Sequence, residues 1–171
     1  MEKPLITQRL IIRKITLDDD LFILKLLNMP SWIKYIGDRN IKTVPDARQY
    51  IKTGPLRSYE ENGFGAWVVM LKSNFQPVGM CGLFKRAYLD RPDLGFAFLA
   101  AHEGQGYGLE AVTACLDYAR KTLAFNSLLA ITLTHNNRSV KLLERSGFRF
   151  LKMITPPDDE ELALYELKQQ F

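Results

Sequence analysis

The stretch that decides the fold is His102-Glu103-Gly104-Gln105-Gly106-Tyr107-Gly108-Leu109-Glu110-Ala111. It follows an apolar run at residues 94–99 that is typical of a β-strand, and it leads into an amphipathic helix pattern. Glycines let backbone N–H groups converge and let a ligand approach the main chain closely. At a helix N-terminus these groups also carry the positive end of the helix dipole, which favours a phosphate or pyrophosphate. The stretch therefore predicts an anion-binding loop between a strand and a helix.

The spacing of the glycines bears on which anion this loop would bind. Glycines between a strand and a helix are often only turn residues, and that interpretation stays open here. A P-loop needs Lys followed by Ser or Thr after the last glycine, whereas Leu109 and Glu110 stand there. A dinucleotide fold needs G-x-G-x-x-G in an early βαβ unit, whereas this loop has G-x-G-x-G and lies past the middle of the chain. The spacing argues against both nucleotide folds.

The composition predicts one globular domain over residues 1–171. Hydrophobic residues make up 47% of the chain and charged residues 25%, with a net charge of +4, and a chain of this length buries a core unaided. No run of Lys or Arg resembles a nucleic-acid-binding tail, so we expect no nucleic-acid partner. No apolar run reaches membrane-spanning length and the N-terminus lacks the features of a signal peptide. We therefore expect a cytoplasmic protein with no membrane contact.

Cysteine and histidine are too few for a disulfide framework or a zinc site. Cys81 and Cys115 lie in apolar segments, so we expect buried free thiols, which fit a reducing compartment. His102 and His135 have no cysteine partner at ligand spacing. We therefore expect no metal.

The order of the apolar patterns predicts an α+β fold with a mixed sheet and helices on its faces. Strands are predicted at residues 10–13, 66–71, 78–84, 93–99, 128–133, 148–153 and 162–167. A first helix is expected to begin at Thr16 and to be ended by Pro30, and a second, beginning near Pro45, to be broken or kinked at Gly54-Pro55. A long helix should follow the glycine loop, and a short one should span residues 139–146.

Four segments, in this order, resemble the GNAT superfamily of N-acetyltransferases, and within it the Rim-type branch of ribosomal-protein N-terminal acetyltransferases. The segments are Thr7-Gln8-Arg9-Leu10-Ile11-Ile12-Arg13, similar to the opening strand of that branch; Asp93-Leu94-Gly95-Phe96, similar to its fourth strand; Glu103-Gly104-Gln105-Gly106-Tyr107-Gly108, similar to its pyrophosphate loop; and Asn136-Asn137-Arg138-Ser139 with Gly147-Phe148, similar to its Asn-x-x-Ser…Gly-Phe signature. The resemblance covers nearly the whole chain and implies a GNAT-like fold with a central, mostly antiparallel sheet.

This resemblance implies acetyl-coenzyme A as the cofactor. It implies an acceptor that is a primary amine, either a protein N-terminal α-amine or a small-molecule amine, acetylated by direct transfer. Loop N–H groups would hold the pyrophosphate and strand backbone would hold the pantetheine arm. The residues implied in cofactor binding are Phe96, Ala97, Phe98, Leu99, Gly104, Gln105, Gly106, Tyr107, Gly108, Leu109, Asn136 and Ser139.

The resemblance also implies catalytic roles for Ser139 and Asp93. Ser139 would lie near the sulfur and protonate the departing thiolate, and its alternative role is that of a helix N-cap. Asp93 could act as the base through a water, and its alternative is an exposed carboxylate at a strand end. The chain departs from the family pattern at two positions. Glu103 replaces a Gln or Arg of the loop, and Leu143 replaces a Tyr that serves many members as the general acid.

These departures keep a second hypothesis open, in which the chain is a non-catalytic acyl-CoA sensor or a protein-interaction module. The acceptor itself is not specified by the sequence. The family's acceptor regions correspond here to residues 30–62 and 85–92, where only Asp38 and Asp90 are evident partners for a cation. The sequence therefore does not favour a polybasic acceptor. Relatives of this kind are monomers or homodimers.

Overall fold

The computed structural model describes residues 3–157 and 160–168. Its strands are Leu5–Ile6 (β1), Leu10–Lys14 (β2), Ala66–Leu71 (β3), Pro77–Phe84 (β4), Asp93–Phe98 (β5), Ser127–Thr132 (β6), Arg149–Ile154 (β7) and Leu162–Lys168 (β8). They form one eight-stranded sheet in the order β1-β2-β3-β4-β5-β6-β8-β7. Every neighbouring pair is antiparallel except β5 and β6, which are parallel. The predicted mixed, mostly antiparallel sheet is confirmed.

The α-helices of the described chain are Asp20–Leu27 (α1), Pro30–Tyr35 (α2), Val44–Ile51 (α3), Arg57–Asn62 (α4), Tyr107–Lys121 (α5) and Asn137–Arg145 (α6). Short 3₁₀ turns at Leu17–Asp19 and Ala100–His102 precede α1 and the glycine loop. Within the described ranges, no helix is long and apolar enough to cross a membrane.

Alternate residues of β3 and β4 point into two separate apolar cores, as the two-residue period of a strand requires. Trp67 and Cys81 face the core that contains α5. Val68 and Met80 face the core that contains α1 and α3. Cys81 and Cys115 are buried free thiols, as predicted. Helices on both faces of the sheet are thereby confirmed.

One predicted helix boundary is wrong, and it involves proline. Pro30 does not end the first helix, which already stops at Leu27; it is instead the first residue of α2. Proline fits that position because its fixed φ is helical and its missing N–H would have no partner there. The second α-helix is interrupted at Gly54-Pro55, as predicted. The chain passes through a π-helical segment, Lys52–Leu56, directly into α4.

The parallel pair β5 and β6 is joined at one end only. Asp93 lies opposite Leu129, whose N–H donates to the carbonyl of Pro92 at 3.0 Å. Among the described residues, no further register pair links the two strands, whereas β5 pairs with β4 along its whole length. The strands therefore diverge beyond Asp93, and one edge of β5 opens onto a cleft of about 1390 Å³.

Candidate active site

The cleft has two halves that are continuous with each other. One half, here called the loop half, is formed by the free edge of β5, the glycine loop and the start of α6, and includes Phe96, Gly106 and Ser139. The other, here called the helical half, is lined from α2 to α4 and from the turn after β4, and includes Trp32 and Arg86. A ligand placed in the loop half can therefore meet a second molecule from the helical half.

The glycine loop places backbone N–H groups at the start of α5. Gly104 has φ +73° and Gly106 has φ +83°, which is the left-handed region that favours glycine. Gly106 is the N-cap of α5, and no side chain of the described residues caps this helix. The first N–H groups of a helix have no intrahelical partner. Together with the dipole of a 15-residue helix, they make the predicted anion site physically sound.

A clamp from the N-terminal segment holds this loop in place. The hydroxyl of Thr7 and the backbone N–H of Arg9 donate to Glu110 Oε1 at 2.6 and 2.7 Å. The side chain of Arg9 donates through Nε to Glu110 Oε2 at 2.7 Å and through Nη1 to the carbonyl of Gln105 at 2.9 Å. Its guanidinium also lies 4.6 Å from the ring centroid of Tyr107. The clamp thereby fixes both sides of Gly106.

The same contacts set the charge of Glu110. Burial raises the pKa of this carboxyl, but the hydrogen bonds from Thr7 and Arg9 outweigh it, so the pKa of Glu110 is lowered from its ordinary value. Glu110 is therefore ionised at neutral pH. The guanidinium of Arg9 balances its charge, so an anion near the loop does not meet an uncompensated carboxylate.

The predicted cofactor residues do not all reach the cleft. Most of them line it: Phe96, Ala97, Phe98, Gly104, Gly106, Gly108, Leu109, Asn136 and Ser139. Leu99 is buried behind the wall, and its N–H donates to the carbonyl of Val78 at 2.8 Å. Gln105 turns its amide back to the carbonyl of Ala101 at 3.0 Å, and Tyr107 lies under Arg9. The side chains of Gln105 and Tyr107 are thus used within the loop itself.

The start of α6 differs from its prediction. The helix begins at Asn137, and its N-cap is Asn136, whose Oδ1 accepts from the N–H of Ser139 at 3.3 Å. The interpretation of Ser139 as the N-cap is therefore wrong. Its hydroxyl lines the cleft from the first turn of α6. Leu143, where many family members have a Tyr, is 1% exposed and belongs to the core.

Asp93 is a buried carboxylate bound to an arginine. It is 0% exposed, and Arg86 Nε lies 3.0 Å from each of its oxygens. The interpretation of Asp93 as an exposed carboxylate at a strand end is therefore wrong. Burial raises the pKa of Asp93, and the guanidinium of Arg86 opposes that rise. The pair stands where β5 begins to separate from β6, and both residues line the cleft.

Glu103, the unusual first residue of the glycine loop, is also engaged. Its carboxylate forms an ion pair with Arg138 at the start of α6. The ion pair crosses the loop half and joins the glycine loop before α5 to the first turn of α6. Glu103 therefore acts within the protein as a link between the two segments that carry the predicted cofactor residues.

Residues 9–149 match the sequence family described as the acetyltransferase (GNAT) domain. The chain belongs to the GNAT acetyltransferase family. A similar protein from Bacillus subtilis (strain 168), named uncharacterized N-acetyltransferase YoaA, is 25% identical over 144 residues, which cover 84% of this chain and 81% of that protein.

Solved structures share the fold of this GNAT acetyltransferase. The acetyltransferase from Agrobacterium tumefaciens str. C58 aligns with a TM-score of 0.84 and 24% identity over 99% of this chain and 96% of the other. The ribosomal L7/L12 α-N-protein acetyltransferase RimL, in complex with coenzyme A, aligns with a TM-score of 0.82 and 11% identity over 97% and 98%. The predicted GNAT-like fold is confirmed.

Sequence reasoning missed the residues that hold this site together. Arg9 and Glu110 are 101 positions apart, and Arg86 is 7 positions from Asp93 across a turn. From the sequence alone, Arg9 is placed in the opening strand and Arg86 is given no role. The local sequence gives no signal for such long-range ion pairs, because only the closed sheet brings their partners together.

Proposed function

We propose that this GNAT acetyltransferase transfers the acetyl group of acetyl-coenzyme A directly to a primary amine, either a protein N-terminal α-amine or a small-molecule amine. The single observation that carries the proposal is the glycine loop at the N-terminus of α5. This loop opens onto the cleft where β5 and β6 diverge. An anionic donor held at the loop would lie along the free edge of β5, with its reactive end toward the helical half.

The loop half fits a pyrophosphate that continues into an extended arm. N–H groups from Gly104 to Leu109 would bind the phosphate oxygens. The unpaired backbone edge of β5, at Phe96, Ala97 and Phe98, would bind the amides of the arm much as an added strand would. When bound, the thioester supplies an acyl group activated for attack by an amine.

In the proposed reaction, a bond forms between the amine nitrogen and the acetyl carbon, and the bond from that carbon to sulfur breaks. A backbone N–H of β5 would polarise the thioester carbonyl. Asp93 would accept the amine proton through a water, a role supported by the raised pKa of its buried carboxyl. Ser139 would relay a solvent proton to the departing thiolate, so that its own hydroxyl is restored, and this hydroxyl has no hydrogen-bond partner among the described residues.

Two measurements test the proposal. Acetyl-CoA should raise the melting temperature, because a ligand that binds only the folded state stabilises it. Thiol release should then be followed with a panel of amines that includes peptides with free α-amines. A melting temperature that does not move with saturating acetyl-CoA would refute cofactor binding. A cofactor that binds without turnover on any amine would favour the sensor hypothesis.

A further inference from the structure

The charges of the helical half are unequal. Its cationic side chains outnumber its carboxylates: the cations are Lys34, Arg39, Arg57, Lys85 and Arg86, and the carboxylates are Glu61, Asp93 and Glu160. Asp93 is bound to Arg86, and Glu61 is bound to Arg57 at 2.7 Å. Asp38, which the sequence suggested as a partner for a cationic acceptor, is bound to Lys42. Asp93, Glu61 and Asp38 are therefore already paired with cations of the chain itself.

Among the described residues, three of these cations have no carboxylate partner: Lys34, which lies 4.9 Å from the ring centroid of Tyr35, and Arg39 and Lys85. Neither Arg39 nor Lys85 forms an ion pair with a residue of the described ranges, and both line the cleft on exposed segments. Tyr50 lines the same half of the cleft: burial raises the pKa of its hydroxyl, and the charges of Arg39 and Arg86 both act to lower it. Arg39, Arg86 and Tyr50 each carry a hydrogen-bond donor on the lining of the helical half.

A buried donor without a partner adds an independent observation. Trp32 lines the helical half and is 4% exposed. Within residues 3–157 and 160–168, its Nε1 is the only buried side-chain nitrogen or oxygen without a hydrogen-bond partner. Buried polar groups are nearly always hydrogen-bonded, so a group of this kind calls for an explanation. An acceptor oxygen from a ligand would satisfy it.

We infer that the acceptor is an amine that also carries a carboxylate, an inference that rests on the proposed function. The helical half would bind this carboxylate through Arg39, Arg86 and Lys85. Guanidinium groups suit carboxylates because their donors match both oxygens. The same positive field would repel a polyamine, which offers only further cations. A carboxylated amine can be an amino acid or the N-terminus of an acidic peptide. Both present the same chemistry to this wall.

Matched acceptors test the inference by steady-state kinetics with acetyl-CoA. One pair is L-leucine and L-leucinamide, and a second is the peptide Ser-Asp-Glu-Leu amide and its uncharged analogue Ser-Asn-Gln-Leu amide; spermidine is the cationic probe. Because an amide lowers the pKa of the neighbouring amine, rates are compared per concentration of neutral amine. We expect the carboxylated member of at least one pair to have a kcat/KM higher by about tenfold or more. The pair that responds identifies the source of the carboxylate.

Charge-reversal variants test which side chains bind the carboxylate of the acceptor. Arg39→Glu should abolish the preference by raising the KM for the carboxylated amine about tenfold, while the KM for acetyl-CoA stays unchanged. Lys25→Glu is the matched control, because Lys25 is an exposed cation of α1 outside the cleft. It should keep the preference. Lys85→Glu gives a second variant on the same wall.

The outcomes separate this inference from the function on which it rests. Turnover in which the uncharged partner or spermidine is preferred refutes the inference and leaves acetyl transfer intact. If no amine turns over, the function fails, and the inference is judged by binding alone. The carboxylated partner must then raise the melting temperature of the CoA-bound protein more than the uncharged partner does, and equal shifts overturn it.

Discussion

A valine at Gly106 should weaken coenzyme A binding far more than it weakens the fold. Gly106 has φ +83°, and a Cβ there would lie 3.2 Å from Arg9 Nη2. The two methyl groups of valine add bulk beyond that Cβ. Either Arg9 leaves Gln105 and Glu110, or the loop moves, and both changes redirect the N–H groups at the start of α5.

A side chain in left-handed backbone destabilises the fold wherever it occurs, and the chain offers a matched control for this effect. Gly63, the residue that ends α4, has φ +76° and no heavy atom within 4 Å of an added Cβ. A side chain in the left-handed region costs about 1–2 kcal/mol at either position. For a chain of this size, each kcal/mol lowers the melting temperature by about 2–4 °C. Gly63→Val should lose that stability and nothing else.

At Gly106, the valine should also lower the affinity for coenzyme A. A hydrogen bond to a charged group is worth about 1.5–3 kcal/mol, so losing one from the loop weakens binding by roughly 10- to 100-fold. The assay is isothermal titration of coenzyme A into both variants, after circular dichroism has shown that each is folded. We expect the Kd of Gly63→Val to stay within about twofold of the parent. A folded Gly106→Val with the Kd of the parent would refute the loop as the anion site.

The remaining predictions concern catalysis and acid stability. Ser139→Ala should lower kcat about tenfold or more and leave the Kd of coenzyme A unchanged; full activity would leave Ser139 without a catalytic role. Asp93→Asn should lower kcat by about 10²-fold and remove the acid limb of the pH–rate profile, and an unaltered limb assigns the base elsewhere. Because the folded pKa of Glu110 is lowered, its ionised form adds stability that is lost as the pH falls below about 4.3, the usual glutamate value, through the lowered pKa. Glu110→Gln should therefore reduce the difference in urea stability between pH 7 and about pH 3; an undiminished difference contradicts the clamp.

Sequence patterns were sufficient to place those elements whose structure is determined by neighbouring residues in the chain. Seven of the eight strands were placed to within about one residue, because alternating or continuous apolar runs are bounded by turn residues, whereas the two-residue β1 was missed. The glycine loop was placed because left-handed backbone requires glycine. Pro30 was misplaced because proline both ends one helix pattern and suits the first position of another. Ser139 was given the cap role although Asn136, three positions earlier, is an equally suitable cap by residue type.

The site depended on contacts that local patterns do not contain. Arg9 meets Glu110, and Arg86 meets Asp93, only after β2, β4 and β5 have joined one sheet. The burial of Asp93 has the same origin, since a strand end is exposed unless the neighbouring strand and turn cover it. Residue types at single positions therefore nominated the candidate catalytic groups, and their roles stay predictions. They did not predict which partners hold those groups.

The divergence of β5 from β6 has a consequence for how such an enzyme can change over evolutionary time. On the proposed function, the donor is bound by main-chain groups along one strand edge and one loop, and these groups persist through most substitutions. The acceptor is selected by side chains of the helical half, which sit on separate segments. Mutations there can redirect the enzyme to a new amine while the donor machinery is inherited unaltered.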